Sequence, residues 1–95
     1  MINGALIRAA RGLLGWSGKT LAERAHVGTA TLQRIERASY VDCGQYGTIR
    51  KICDALMEEG IRFTEDTSGE IGLALTREKA RELQHRSTQN LRAKN

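Results

Sequence analysis

The chain has 95 residues, of which 40% are hydrophobic and 27% charged, and its formal net charge is +4. This length allows one small domain with an appendage, and the hydrophobic content argues against wholesale disorder. Because aromatic residues make up only 4% of the chain, the core must be mostly aliphatic. Arg8 and Arg11 interrupt the first apolar stretch, so we expect neither a signal peptide nor a membrane span there.

The positive charge is concentrated in residues 1–40, which carry six basic and two acidic side chains, whereas residues 41–95 carry nine of each. Such an excess suits a polyanionic partner such as nucleic acid, although a small basic excess can also serve solubility alone. The sequence has no catalytic triad, phosphate-cradling loop or metal-ligand spacing, so we expect neither an enzyme nor a cofactor. Two cysteines, Cys43 and Cys53, are too few for a disulfide framework and fit a reduced, cytoplasmic compartment.

The first predicted element is an amphipathic helix over residues 4–14. Its apolar residues recur with helical spacing at Leu6, Ile7, Ala10, Leu13 and Leu14. Asn3 can cap its beginning and Gly15 can end it. The face that carries these apolar side chains is expected to pack on the core.

Residues 20–37, TLAERAHVGTATLQRIER, could form one helix or two. One helix would place Gly28 between two β-branched residues in its interior, where glycine costs about 1 kcal/mol relative to alanine. Two shorter helices avoid this cost, because Gly28 is then the N-cap of the second helix and Ser17 is the N-cap of the first. The apolar pairs Trp16 with Leu21 and Val27 with Leu32 then form repeated hydrophobic staples. We therefore predict helices over residues 18–25 and 29–37, joined by a tight turn in the manner of a helix-turn-helix.

The remaining elements are a fourth helix, a hairpin and a charged helix. Helical spacing predicts the fourth helix over residues 45–59, ended by Gly60. Alternating apolar residues on both sides of the polar EDTSGE stretch predict a β-hairpin. Its apolar face is formed by Ile61, Phe63, Ile71, Leu73 and Leu75. Thr76 can cap a final helix through TREKARELQHR, and we expect the last ten residues to fray.

The expected fold class is mainly α: a compact four-helix domain with a helix-turn-helix, a short β-hairpin, and a C-terminal charged helix or tail. We divide the chain into a helix-turn-helix DNA-binding domain at 1–60, a hairpin at 61–76 that serves dimerisation, and a charged, partly disordered helical tail at 77–95. A lone hairpin is marginal in water and its free edges pair readily with another chain, which favours dimerisation. The competing interpretation is that the hairpin folds back on the fourth helix and that dimers form through that helix or the linker before it.

The stretch WSGKTLAERAHVGTATLQRIERAS resembles the phage-repressor-like (XRE) helix-turn-helix regulators, and the resemblance covers roughly residues 7–57. It implies dimeric, sequence-specific binding of double-stranded DNA at inverted repeats. It places base contacts at Thr29, Ala30, Gln33 and Arg34. It places phosphate contacts at Ser17, Gly18, Lys19, Arg37, Ser39 and Tyr40. It also pairs Glu36 with Arg11 of the first helix.

The chain departs from that family pattern at Gly18, His26 and Gly28. Gly18 stands where the family often has a glutamine after the N-cap. His26 replaces the turn glycine and must adopt a left-handed conformation, which histidine tolerates better than most residues. Gly28 takes the place of the usual serine or threonine cap.

The sequence therefore predicts a cytoplasmic, nucleoid-associated transcription regulator, a repressor acting as a homodimer. Its expected partner is double-stranded DNA, with a protein partner possible and no membrane. The alternative is a protein-interaction module, such as an antitoxin-like protein that binds its partner through the hairpin and tail. Fold analogy alone does not separate these two functions.

Overall fold

The computed structural model describes residues 2–42, 44 and 47–93, with side chains as far as residue 85. The described part contains the helices α1 (Gly4–Leu14), α2 (Gly18–Ala25), α3 (Thr29–Glu36), α4 (Thr48–Glu58) and α5 (Arg77–Ala93), with the strands β1 (Ile61–Glu65) and β2 (Ile71–Leu75) between α4 and α5. This order confirms the expected fold class. No helix in the described part is both long enough and apolar enough to span a membrane.

The ends of α1 and α2 are set by the capping residues that the sequence predicted. The Asn3 side chain accepts a hydrogen bond from the Leu6 N–H at 3.0 Å, and Gly15 ends α1 in the left-handed conformation. The Ser17 hydroxyl accepts one from the Thr20 N–H at 3.1 Å. His26 ends α2 with φ 58° and ψ 46°, which confirms the left-handed geometry expected of it.

Four helix ends differ from the prediction. α4 ends at Glu58, one residue before the expected end, and α5 runs to Ala93, beyond the expected end at residue 86. α3 ends at Glu36 and Arg37 serves as its C-cap, one residue earlier than expected. α4 begins at Thr48 because Gly47 has φ 94° and ψ −173°, a conformation that no helix interior contains. The predicted beginning of this helix, Gln45, lies outside the described residues.

The core lies between the first four helices and is aliphatic, as the composition predicted. Its largest fully buried side chains include Ile7, Leu21, Leu32, Ile52, Leu56 and Ile61. Cys53 of α4 is also fully buried, and it is disulfide-bonded. The expectation of reduced cysteines is therefore wrong for Cys53, whereas Cys43 lies outside the described residues.

The hairpin pairs antiparallel in a register that puts its apolar residues on one face, with Ile61 opposite Leu75 and Phe63 opposite Leu73. β1 contacts α4, and β2 contacts α1 and α5. Ile61 is fully buried in the helical core, and Phe63, Leu73 and Leu75 pack against it half-buried. The hairpin thus folds back on its own helices, and it leaves part of its apolar face uncovered.

Two contacts hold the beginning of α5 against the rest of the molecule. The Thr76 side chain accepts a hydrogen bond from the Lys79 N–H at 3.2 Å, which confirms Thr76 as the cap. The Thr76 N–H donates to the Gly60 carbonyl at 2.9 Å. The Lys79 Nζ lies 3.0 Å from a carboxylate oxygen of Glu59 and 3.2 Å from one of Glu82. The bond from Thr76 to Gly60 and the pair of Lys79 with Glu59 join α5 to the end of α4.

Candidate nucleic-acid interface

The helix-turn-helix consists of α2, a turn through His26 and Val27, and α3. The Val27 N–H donates to the Ala22 carbonyl at 3.0 Å, and Gly28 caps α3 in an extended conformation without a side-chain bond. Leu32 is buried and Val27 packs against the core. The inner face of α3 is therefore fixed, and its outer face is presented to solvent.

All four residues predicted to contact bases are exposed on α3: Thr29, Ala30, Gln33 and Arg34. They follow one another at i, i+1, i+4 and i+5, which places them on one face of the helix. This face offers a hydroxyl, a methyl, an amide and a guanidinium group. Such groups can read the donor, acceptor and methyl pattern of the major groove, which is about 12 Å wide and admits one helix.

The residues predicted to contact phosphates lie in two groups, one at the beginning of α2 and one after α3. Ser17, Lys19, Arg37 and Ser39 are exposed, Gly18 is half-buried, and Tyr40 is 61% exposed. The first turn of α2 adds main-chain N–H groups without helical partners, which carry a partial positive charge. Both groups therefore present basic and polar groups to solvent, one before α2 and one after α3 in the chain.

The Arg11 guanidinium and the Glu36 carboxylate form a bidentate ion pair. Arg11 Nε lies 2.9 Å from Glu36 Oε2, and Arg11 Nη2 lies 3.1 Å from Oε1. The Glu36 side chain is 9% exposed and that of Arg11 24%. Arg11 Nη1 also donates to the Trp16 carbonyl at 3.3 Å. One side chain of α1 thereby joins the end of α3 to the segment that leads into α2.

Three features that bear on the site were missed by sequence reasoning. The Arg24 guanidinium lies 5.1 Å from the centre of the Trp16 ring, in a cation–π arrangement. Ile2 forms an antiparallel bridge with Val41, the residue after Tyr40. Gly4 lies directly against the end of α3. Only Gly4 carried a signal, since a glycine in a predicted helix suggests a close backbone approach.

Comparison with known proteins gives the family. No curated protein matches the chain. A family model described as a helix-turn-helix domain matches residues 4–60, which include α1 to α4 and the whole candidate interface. Because this match covers more than half of the sequence, the chain belongs to this helix-turn-helix family, whose fold binds DNA.

Proposed function

We propose that the chain is a sequence-specific, double-stranded DNA-binding transcription regulator that acts as a homodimeric repressor at an inverted-repeat operator. The observation that carries this proposal is the exposed outer face of α3. A face of exposed polar and basic groups on a firmly packed helix suits base recognition better than it suits any role in the core.

Base recognition is assigned to Thr29, Ala30, Gln33 and Arg34. An arginine can donate two hydrogen bonds to the O6 and N7 atoms of guanine, and a glutamine can pair with the N6 and N7 atoms of adenine. The methyl groups of Thr29 and Ala30 suit contact with the C5-methyl of thymine. These four positions would read only a few base pairs, which is too little for a unique genomic site.

Backbone recognition is assigned to the two flanking groups of exposed residues. The first turn of α2, with Ser17, Gly18 and Lys19, would hold one phosphate through main-chain N–H groups and an ammonium. Arg37, Ser39 and Tyr40 would hold the backbone beyond the other end of α3. Phosphate contacts fix the register and orientation of the protein and carry no sequence information.

The homodimer supplies the remaining specificity. Two copies of α3 related by a two-fold axis would enter successive major grooves roughly 34 Å apart. We assign the interface to the hairpin, through Ile61, Phe63, Ile71, Leu73 and Leu75. Ile61 would act by anchoring the hairpin from within the core. The other four, which stay half-buried in one chain, would meet their copies in the partner.

A dimer bound across a promoter would exclude the transcription machinery, so repression is the simplest regulatory outcome. The proposed location follows from the ligand, since the operator lies on the DNA of the cytoplasmic nucleoid. The dimer and the tail also offer surface for a protein partner that could release the repressor.

The experiment is selection of bound fragments from genomic DNA, followed by titration of the selected and a random duplex at increasing salt. We expect a shared inverted repeat among the selected fragments and a steep loss of affinity with salt, because phosphate contacts release counterions. Failure to bind either duplex at low salt would contradict the proposal and favour the protein-interaction module.

The dimer is tested with Ile71→Lys and its matched control Ala74→Lys. Ile71 lies on the apolar face at the turn end of β2, whereas Ala74 is exposed on the opposite face. Truncation after Gly60 would be a poorer test because it removes the fully buried Ile61. By light scattering, Ile71→Lys should be monomeric and Ala74→Lys dimeric. A dimeric Ile71→Lys protein would remove the hairpin face from the interface.

A further inference from the structure

Residues 2–4 are bonded to the chain on both sides of Ser39 and Tyr40. The Gly4 N–H donates to the Ala38 carbonyl at 2.8 Å. On the other side, the Ile2 N–H donates to the Val41 carbonyl at 2.9 Å, and the Val41 N–H donates to the Ile2 carbonyl at 2.7 Å. Three main-chain hydrogen bonds thus fix the two ends of a segment that contains only Ser39 and Tyr40.

The packing around these bonds leaves little freedom. Ile2 is 6% exposed and Val41 1%, so the bridge between them lies inside the core. A Cβ atom at residue 4 would collide with the main-chain carbonyl of Glu36 and lie 2.6 Å from that of Ile35, so only glycine allows this approach. Gly4, the first residue of α1, therefore lies in direct contact with the main chain at the end of α3.

The tethered segment presents its two side chains outward. Val41 is buried and Ala38 is half-buried against the core, whereas Ser39 and Tyr40 are exposed. Tyr40 is 61% exposed although its ring is large and largely apolar. A tyrosine that is mostly exposed gains little from packing, so a binding role explains its placement better than a stabilising role.

We infer that Ile2 and Gly4 are positioning residues for the contact of Ser39 and Tyr40 with the DNA backbone. This inference rests on the proposed function. The two tethers order the segment before DNA arrives, so binding does not incur the loss of conformational freedom that an untethered loop would incur. Residues 2–4 would thus raise DNA affinity without themselves contacting DNA.

The test compares Ile2→Pro with Ile2→Ala. Both variants lose the buried side chain, but only proline also lacks the N–H that donates to Val41. We expect Ile2→Pro to bind the selected operator and a random duplex more weakly than Ile2→Ala by the same factor, because backbone contacts are sequence-independent. Thermal melts show whether each variant is folded. If Ile2→Pro does not fold, Val41→Pro with its control Val41→Ala replaces the pair, since proline there removes the N–H that donates to the Ile2 carbonyl.

Tyr40→Phe, made in each background, separates positioning from stability. It removes only the hydroxyl group. In the unchanged protein and in Ile2→Ala we expect it to weaken binding roughly tenfold, the range of a hydrogen bond to a charged group. In Ile2→Pro, or in Val41→Pro if that variant is used, the effect should be clearly smaller, because losing one of the three main-chain bonds loosens the segment that holds the hydroxyl at the phosphate. A merely structural role for Ile2 would leave the tenfold effect intact in every background.

The outcomes separate the positioning inference from the proposed DNA-binding function. An undiminished Tyr40→Phe effect in the proline variant, or no Tyr40→Phe effect in a protein that binds its operator, would overturn the inference and leave the proposed function standing. Absence of duplex binding by the unchanged protein would overturn both. A Tyr40→Phe effect that shrinks only in the proline variant supports the positioning role.

Discussion

The helical unit α1–α4 and the hairpin with α5 differ in how completely they bury their apolar side chains. Ile7, Leu21, Leu32, Ile52 and Leu56 of the helical unit are at most 1% exposed. In the hairpin only Ile61 reaches that level, and the rest of its apolar face is half-buried. The helical unit therefore carries the stability of the single chain. The hairpin retains apolar surface whose burial by a second chain would still be favourable.

The two regions also differ in their polar contacts. In the helical unit, Arg11 and Glu36 form a bidentate ion pair, and the carboxylate of Glu36 is nearly buried. α5 is held to α4 by Lys79, whose partner Glu59 is 30% exposed. Water reaches the carboxylate of the second pair more than that of the first, so we expect the second pair to contribute less to stability.

The largest expected effect comes from truncating an apolar side chain in each region. Leu56→Ala should lower the free energy of unfolding by about 2–5 kcal/mol, the range for a fully buried leucine. Leu73→Ala removes the same atoms from a half-buried position, so we expect less than about half of that loss. Urea denaturation of both variants at low protein concentration measures the difference. At higher concentration the loss in Leu73→Ala should grow if the hairpin forms the dimer. Equal losses at low concentration would show that the regions are packed alike.

The second effect concerns the ion pair of the helical unit. Glu36→Gln leaves Arg11 without its countercharge, and we expect a loss of about 3 kcal/mol because the carboxylate is nearly buried. A double-mutant cycle with Arg11→Met measures the coupling. The matched control is Arg50 with Asp54, whose side chains are 38% and 47% exposed at a distance of 2.9 Å. A helical pair of that kind contributes about 0.5 kcal/mol or less. Similar coupling energies in the two cycles would show that burial does not strengthen the pair of Arg11 with Glu36.

The third effect separates base reading from backbone contact within the helical unit. Arg34→Ala should cost about 1–3 kcal/mol on the selected operator and relax the preference at one base pair. Lys19→Ala should instead weaken binding to all sequences alike and reduce the dependence on salt. Fluorescence titration of the operator and a random duplex gives both values. Equal losses on the two duplexes for Arg34→Ala would count against base reading.

The sequence predicted most of the helical unit because its signals are local. Ser17, His26 and Gly28 each fit only one position relative to a helix end, and the structure confirms all three. The bridge from Ile2 to Val41 could not be predicted in this way. It joins residues 39 positions apart through main-chain groups that every residue carries. The beginning of α4 was missed for a related reason, since a glycine does not reveal from sequence whether it adopts a positive φ.

The candidate site likewise contains features that the sequence predicts and features that it does not predict. The outer face of α3 follows from helical periodicity once Leu32 is known to point inward, so its four residues could be named in advance. The contact of Arg24 with Trp16 depends on the way α2 packs, and no spacing rule encodes that packing. The sequence does not indicate how far the hairpin is covered by its own helices, because periodicity gives the apolar face but not its partner.

The smallest expected effect tests the attachment of α5 through pH. The Glu59 carboxylate, with a further contribution from Glu82, raises the pKa of Lys79 above its ordinary value of 10.5, against the opposing effect of burial. As the pH rises, Lys79 therefore loses its proton at a lower pH in the unfolded chain than in the folded protein. The stability that Lys79 contributes is complete below pH 10.5 and is lost as the pH passes through the raised value. Because Glu59 is partly exposed, we expect less than about 1 kcal/mol.

The measurement is the difference in unfolding free energy between the unchanged protein and Lys79→Met, from about pH 9 to about pH 12. Methionine keeps an unbranched apolar side chain but lacks the charge, and other titrating groups largely cancel in the difference. We expect the difference to shrink above the ordinary lysine pKa. A Lys79→Met difference that is constant across this range would mean that the ion pair does not hold α5 to α4. The attachment would then rest on the Thr76 cap and its bond to Gly60.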